Sequence, residues 1–161
     1  MDTQLEKLWQ DQIRNEWYSE YLYMSMAAWF ESANLEGFAH WMYKQAEEEH
    51  AHGRKMFDFL IDRGVKVVLQ AIPQPPVDFA SPLEVFEKSL EHERKVTALI
   101  NGIADQADKA NDRPSKVFIQ WFITEQVEEE KNASRIVDLL KKIPASSGAI
   151  YQLDHQLSKR E

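Results

Sequence analysis

The sequence predicts an all-α fold: an antiparallel four-helix bundle with one long crossover and a short C-terminal fifth helix. Three observations predict it. Apolar residues recur at helical spacing through four long segments. Glycine, with 5 residues in 161, is too scarce for a β-sandwich or a Gly-rich phosphate-binding loop. The connections between the segments run short, long, short, which gives a bundle whose second and third helices are parallel.

Each element carries its own signals. Thr3-Gln4-Leu5-Glu6 fits a capping box at the start of a first helix over 4–33. Asn34 and Gly37 mark a short connection, and a second helix over 35–62 stops at Arg63-Gly64. Each helix is about 28 residues, or roughly 42 Å long. The stretch from Val65 to Ala80 holds Pro73, Pro75 and Pro76 and an extended Val67-Val68-Leu69 run. A segment of about 18 residues reaches roughly 60 Å, enough to travel the bundle from end to end. Ser81-Pro82-Leu83-Glu84 is a second capping box, with proline first in a third helix over 82–109. Asn111-Asp112-Arg113-Pro114 caps a fourth helix over 113–142, closed by Pro144. After Gly148, a short helix over 148–158 puts Ile150, Leu153 and Leu157 on one side. Residues 1–161 read as a single domain.

Composition excludes several classes of function. There are no cysteines, so disulfides, thiolate zinc sites, iron–sulfur clusters and cysteine nucleophiles are out, and a reducing, cytoplasmic setting is expected. Met1-Asp2-Thr3-Gln4 lacks a secretory pattern. No apolar run approaches the about 20 residues of a membrane span, so no membrane partner is expected. The net charge is −8 and no basic run offsets it, which speaks against nucleic acid. The carboxylate surplus suits a protein that attracts cations and equally serves solubility.

The apolar stripes hold the informative residues, because i, i+3, i+4 and i+7 share a helix face. Glu16 lies among Trp9, Ile13, Tyr23 and Phe30 on the first helix. Glu49 and His52 lie among Met42, Ala46, Met56 and Leu60 on the second. Glu93 lies among Phe86, Leu90, Val96 and Ile100 on the third. Glu125, Gln126 and Glu129 lie with Phe118, Phe122, Ala133 and Leu140 on the fourth. Burying an unpaired carboxylate costs several kcal/mol, and no lysine or arginine sits on these stripes. Four such residues call for a shared counter-charge, which a metal cluster supplies. All stand near mid-helix, and Glu16–Glu49 and Glu93–Gln126 are each 33 positions apart (49 − 16 and 126 − 93). Oxygen donors with one imidazole fit Fe(II), Mn(II) or Zn(II) better than copper, and Mg and Ca rarely recruit histidine.

The same residues carry a resemblance. Glu49-His50-Ala51-His52 is the Glu-x-x-His motif of ferritin-like di-iron proteins, and Gln126-Val127-Glu128-Glu129 stands where a second such motif would fall. Asn15-Glu16-Trp17-Tyr18-Ser19 to Tyr23, Ala46-Glu47-Glu48-Glu49 to His52, Gln120-Trp121-Phe122-Ile123-Thr124-Glu125-Gln126 to Lys131, and Gly148 to Leu157 extend the match. The chain resembles the bacterial non-haem ferritins over nearly its whole length. The resemblance implies iron storage and detoxification by a ferroxidase that oxidises Fe(II) with O2 or H2O2. It also implies a ferric mineral inside a shell of 24 subunits. Glu16, Glu49 and His52 would form the first iron site. Glu49 would bridge to a second iron held by Glu93 and Glu129, with Gln126 close by and Tyr23 beside the site. Glu48, Glu125 and Glu128, sharing Glu129, match a third iron site, and Trp121 an aromatic electron donor near it.

Outside the resemblance, Tyr23 and Trp121 read as core residues, and Glu48 and Glu128 as surface charge. His40, His50, His92 and His155 read as surface residues, and Glu20 has no assigned role. His50 stands where bacterioferritins place a haem-binding methionine, so no haem is expected. Val117 and Gln120 replace the acidic residues of an animal-type three-fold pore. The alternatives are a di-iron oxidoreductase or peroxide-reducing protein without storage, and a helical DNA-protecting module.

Overall fold

A computed structural model describes residues 1–144 and 146–161. It contains α1 (Thr3–Ser32), α2 (Glu36–Asp62), α3 (Pro82–Lys109), α4 (Arg113–Lys141) and α5 (Ala149–Leu157). None of these helices is long and apolar enough to cross a membrane.

The helix ends follow from local chemistry. Asp2, not Thr3, caps α1: its extended backbone leaves the carboxylate free to accept from Leu5 N at 3.0 Å, and Thr3 is the first helical residue. Ser81 Oγ accepts from Glu84 N as expected, but the Glu84 carboxylate returns to Ala80 N rather than to Ser81 N. Asp112 caps α4 through Ser115 N at 3.0 Å. Three helices end alike. Asn34, Gly64 and Asn111 have φ of 56°, 70° and 50°. The next amide bonds five residues back: Leu35 to Phe30, Val65 to Leu60 and Asp112 to Ala107. This closure needs a left-handed residue, which asparagine and glycine tolerate. Gly37 belongs to α2 rather than to the turn before it.

The crossover runs back along α1. Val68 N donates to Gln10 Oε1 at 2.8 Å, Gln70 Nε2 donates to Asp11, Ser25 Oγ donates to the Pro76 carbonyl, and Phe79 packs edge-on against Trp29. Residues 68 to 79 thus ascend α1 from its first turns to its last. The crossover carries α3 to the end where α2 began, so α2 and α3 are parallel.

Two hydrophobic clusters fill the bundle. One gathers Leu5, Trp9, Ile13, Met56, Leu60, Ile100, Ile119 and Phe122. The other gathers Met26, Phe30, Phe38, Met42, Phe86, Val137 and Leu140, with Leu153 of α5 closing it. α1 and α4 pass from the first cluster to the second along the chain, and α2 and α3 pass the other way. The residues between the clusters on each helix therefore meet in one layer. Ile119 takes the core position expected of Phe118, which stacks at 4.0 Å on Phe59 at the bundle margin.

Candidate metal centre

That middle layer is polar and buried. Glu16, Glu49, His52, Glu93, Gln126 and Glu129 are each 5% exposed or less. Two overlapping groups of donor atoms, Glu16–Glu49–His52 and Glu49–Glu93–Glu129, lie within 4.8 Å internally. Oxygen and nitrogen ligands at about 2.1 Å from one ion stand up to about 4.2 Å apart, so either group closes on an ion with a small inward shift. Glu49 belongs to both groups. Its Oε2 lies 3.3 Å from His52 Nδ1, while its Oε1 accepts from Gln45 Nε2 at 3.1 Å.

Neighbouring amides and hydroxyls hold these carboxylates. Gln12 Nε2 donates to Glu16 Oε1 at 2.7 Å, and Gln45 Nε2 also donates to Glu129 Oε2 at 2.7 Å. Glu93 accepts from the Tyr23 hydroxyl, which lies 3.0 Å from Ser89 Oγ, and from Gln126 Nε2 at 3.2 Å. Gln126 thus turns its amide NH2 toward Glu93, and its place is beside the cluster. Gln12 and Gln45 were not singled out in the sequence. Their signal is that each stands four residues before a buried glutamate, on the same face.

A third group joins His52, Glu125 and Glu129, with His52 Nε2 3.8 Å from Glu125 Oε1. The two ring nitrogens of His52 therefore face different groups. Of the residues expected at a third position, Glu125 and Glu129 fall in this group, together with His52. Glu128 is exposed, and Glu48 pairs with Arg160 at 2.6 Å. Trp121, 39% exposed, sits edge-on to His52 at 5.4 Å with the Lys55 ammonium 3.5 Å from its ring centroid.

Two of the histidines read as surface are not. His92 is half-buried with Nε2 2.7 Å from Ser19 Oγ, and burial pulls its imidazole down to about 4, so it is neutral at pH 7. His40, also half-buried, bonds the Arg160 carbonyl. His50 is exposed and bonds Glu20 at 3.0 Å, which gives Glu20 its partner.

The electrostatics of the layer are frustrated without a cation. Burial, then the charge of Glu49, pushes the Glu16 carboxyl well above the usual carboxylate range. Burial, with Glu93 and Glu129, does the same to Glu49. Burial raises Glu93 against the opposing bonds from Tyr23 and Gln126, and burial with Glu93 pushes Glu129 up to about 8. Tyr23 is raised well above its usual value by burial and Glu93, so its hydroxyl stays a donor. Among the described residues no lysine or arginine pairs with these four carboxylates. Divalent ions would displace the protons and supply the missing charge.

Fold and layer together define a helical-bundle protein with a buried carboxylate cluster suited to metal ions. The ferritin-like domain family matches residues 6–143. A bacterial non-haem ferritin of Bacteroides fragilis is 40% identical over 99% of both chains. One from Staphylococcus saprophyticus is 38% identical over 93% of this chain and 90% of its own. The crystal structure of an open-pore ferritin from the hyperthermophilic archaeon Archaeoglobus fulgidus superposes with a TM-score of 0.98, at 42% identity over 100% of this chain and 99% of the other. The chain belongs to the ferritin family.

Proposed function

We infer that the protein stores iron as a ferroxidase, oxidising Fe(II) to Fe(III) with O2 at two adjacent positions within one chain and passing ferric iron to a mineral. The observation that carries this is Glu49, which belongs to both buried donor groups: its Oε2 lies 3.3 Å from His52 Nδ1, and its Oε1 accepts from Gln45, which also bonds Glu129. A carboxylate so placed can bridge two ions. On this reading Glu16, Glu49 and His52 hold the first Fe(II), and Glu49, Glu93 and Glu129 hold the second. Two Fe(II) held side by side supply two electrons to one O2.

The chain's own residues set the geometry. Gln12 fixes Glu16, Gln45 fixes Glu49 and Glu129 together, and Tyr23 and Gln126 fix Glu93. The first position includes an imidazole and the second only oxygens, so the second iron is held less tightly. Glu125, with His52 and Glu129, offers an outer position beside these two. The relatives' name supports storage, and the open-pore description of the archaeal one supports a hollow shell, for which we propose 24 subunits.

The test mixes Fe(II) and O2 with metal-free protein carrying Glu49→Ala or His52→Ala and follows the ferric absorbance. The rapid phase should disappear; undiminished rapid oxidation would sink the assignment. Light scattering of the wild-type protein checks the shell, which a lone dimer would refute.

A further inference from the structure

α5 delivers a cation to the edge of the carboxylate layer. It seats on the first turn of α2, where Gly37 leaves room for the Asp154 backbone and Asp154 Oδ1 accepts from Phe38 N at 2.9 Å. The chain then brings Arg160 alongside α2. Its guanidinium carbon lies 4.2 Å from the Trp41 ring centroid, and Nη1 donates to the Trp41 carbonyl at 3.1 Å. Nη2 donates to Glu48 at 2.6 Å and to Gln45 Oε1 at 2.9 Å. Gln45 is buried, and its Nε2 donates to both Glu49 and Glu129.

The chemistry admits one orientation of that amide. Two carboxylates require the NH2, and the guanidinium requires the oxygen; a flipped amide would oppose like with like on both sides. The arginine fork is fixed in turn by the Trp41 carbonyl and the Glu48 carboxylate. A relay runs from the C-terminus through Gln45 to Glu49 and Glu129, two of the three carboxylates of the second position. Glu16 and His52 of the first position touch neither Arg160 nor Gln45 through a hydrogen bond among the described residues.

We propose that Arg160 is a positioning residue for the second iron: through Gln45 it holds Glu49 and Glu129 ready, so that full loading requires a docked C-terminal helix. This rests on the assignment of Glu49, Glu93 and Glu129 to the second position.

The test titrates the metal-free, assembled protein with Co(II) and follows its d–d absorption. In Arg160→Ala the first Co(II) per chain should weaken less than the second, because only Glu49 of its three ligands bonds Gln45. The second should weaken by about 10- to 100-fold, the range for losing a residue that orients a ligand. Combining it with Gln45→Leu should add no further loss. Unchanged affinity for the second Co(II), equal loss at both positions, or additive loss in the double variant would each overturn the proposal. So would full rescue by Arg160→Lys, because a lone ammonium restores charge near Glu48 without the fork that orients Gln45. Glu129→Gln separates the two levels. If it leaves the second Co(II) in place, the site assignment fails and this proposal with it. If it removes that Co(II) and Arg160→Ala does not, this proposal alone fails.

Discussion

Replacing Glu129 by glutamine should stabilise the metal-free protein while removing one of the carboxylates proposed to hold metal. Burial and the neighbouring Glu93 push this carboxyl up to about 8, from an ordinary 4.5. Between those values the folded chain holds a proton that the unfolded chain releases. The stability this group contributes is therefore fully present below about pH 4.5 and lost as pH rises through about 8. At about 1.4 kcal/mol per pH unit, the loss reaches about 3 kcal/mol at pH 7. Glutamine keeps the shape and the oxygen that accepts from Gln45, and it carries no proton to lose. Scanning calorimetry of chelator-treated protein, at matched concentration from pH 4.5 to 8, should show a gap in Tm that opens with pH. For a chain of this size it should reach about 6 to 12 °C at pH 7 in favour of Glu129→Gln. Added Zn(II) should narrow or reverse this gap, because the wild-type cluster offers Glu49, Glu93 and Glu129 as a second position while the variant keeps only the group of Glu16, Glu49 and His52. A gap independent of pH, or a variant less stable throughout, would refute the reasoning: Glu129 would then be ionised and satisfied without metal.

Two further substitutions test the frame that carries the site. Asp112 accepts both Arg63 Nη1 and Nη2 at 2.9 Å and caps α4, so Asp112→Ala should cost about 2 to 3 kcal/mol in urea unfolding of the metal-free protein. Arg63 holds this carboxyl well below its ordinary 3.8, so its contribution is present above that pH and fades as pH falls below it; a cost that persists in strong acid would contradict the ion pair. Gly37→Ala would put a methyl group 1.7 Å from the Asp154 carbonyl oxygen, so α5 should lift off and residues 149–161 become sensitive to limited proteolysis while the bundle's circular dichroism persists. A tail as protected as in the wild type would refute the docking argument.

The four-helix architecture was legible because caps and breakers act over three or four residues. The helical limits fell within one or two residues of expectation, and the main local error, Thr3 for Asp2, came from two adjacent side chains competing for one cap. Glu16, Glu49, His52, Glu93 and Glu129 were legible for a related reason: helical periodicity alone assigns a residue to a face, and these sit on apolar faces. The outer group was less so. Whether Glu125 meets His52 or Glu48 depends on how α2 and α4 lie side by side, and no spacing within one helix reports that.

The sequence by itself determined that four helices bury Glu16, Glu49, His52, Glu93 and Glu129, side chains that could hold metal, at one height. The helix repeat and the need to neutralise buried charge act along each helix separately, and both can be counted in residues. Only the tertiary structure decided what surrounds them. Gln45 meets Glu129 84 positions away and Arg160 115 positions away, and His92 finds Ser19 73 positions away. Such partners are chosen by the packing of one helix against another, and the C-terminal residues reach the site because Gly37 lets α5 close on α2.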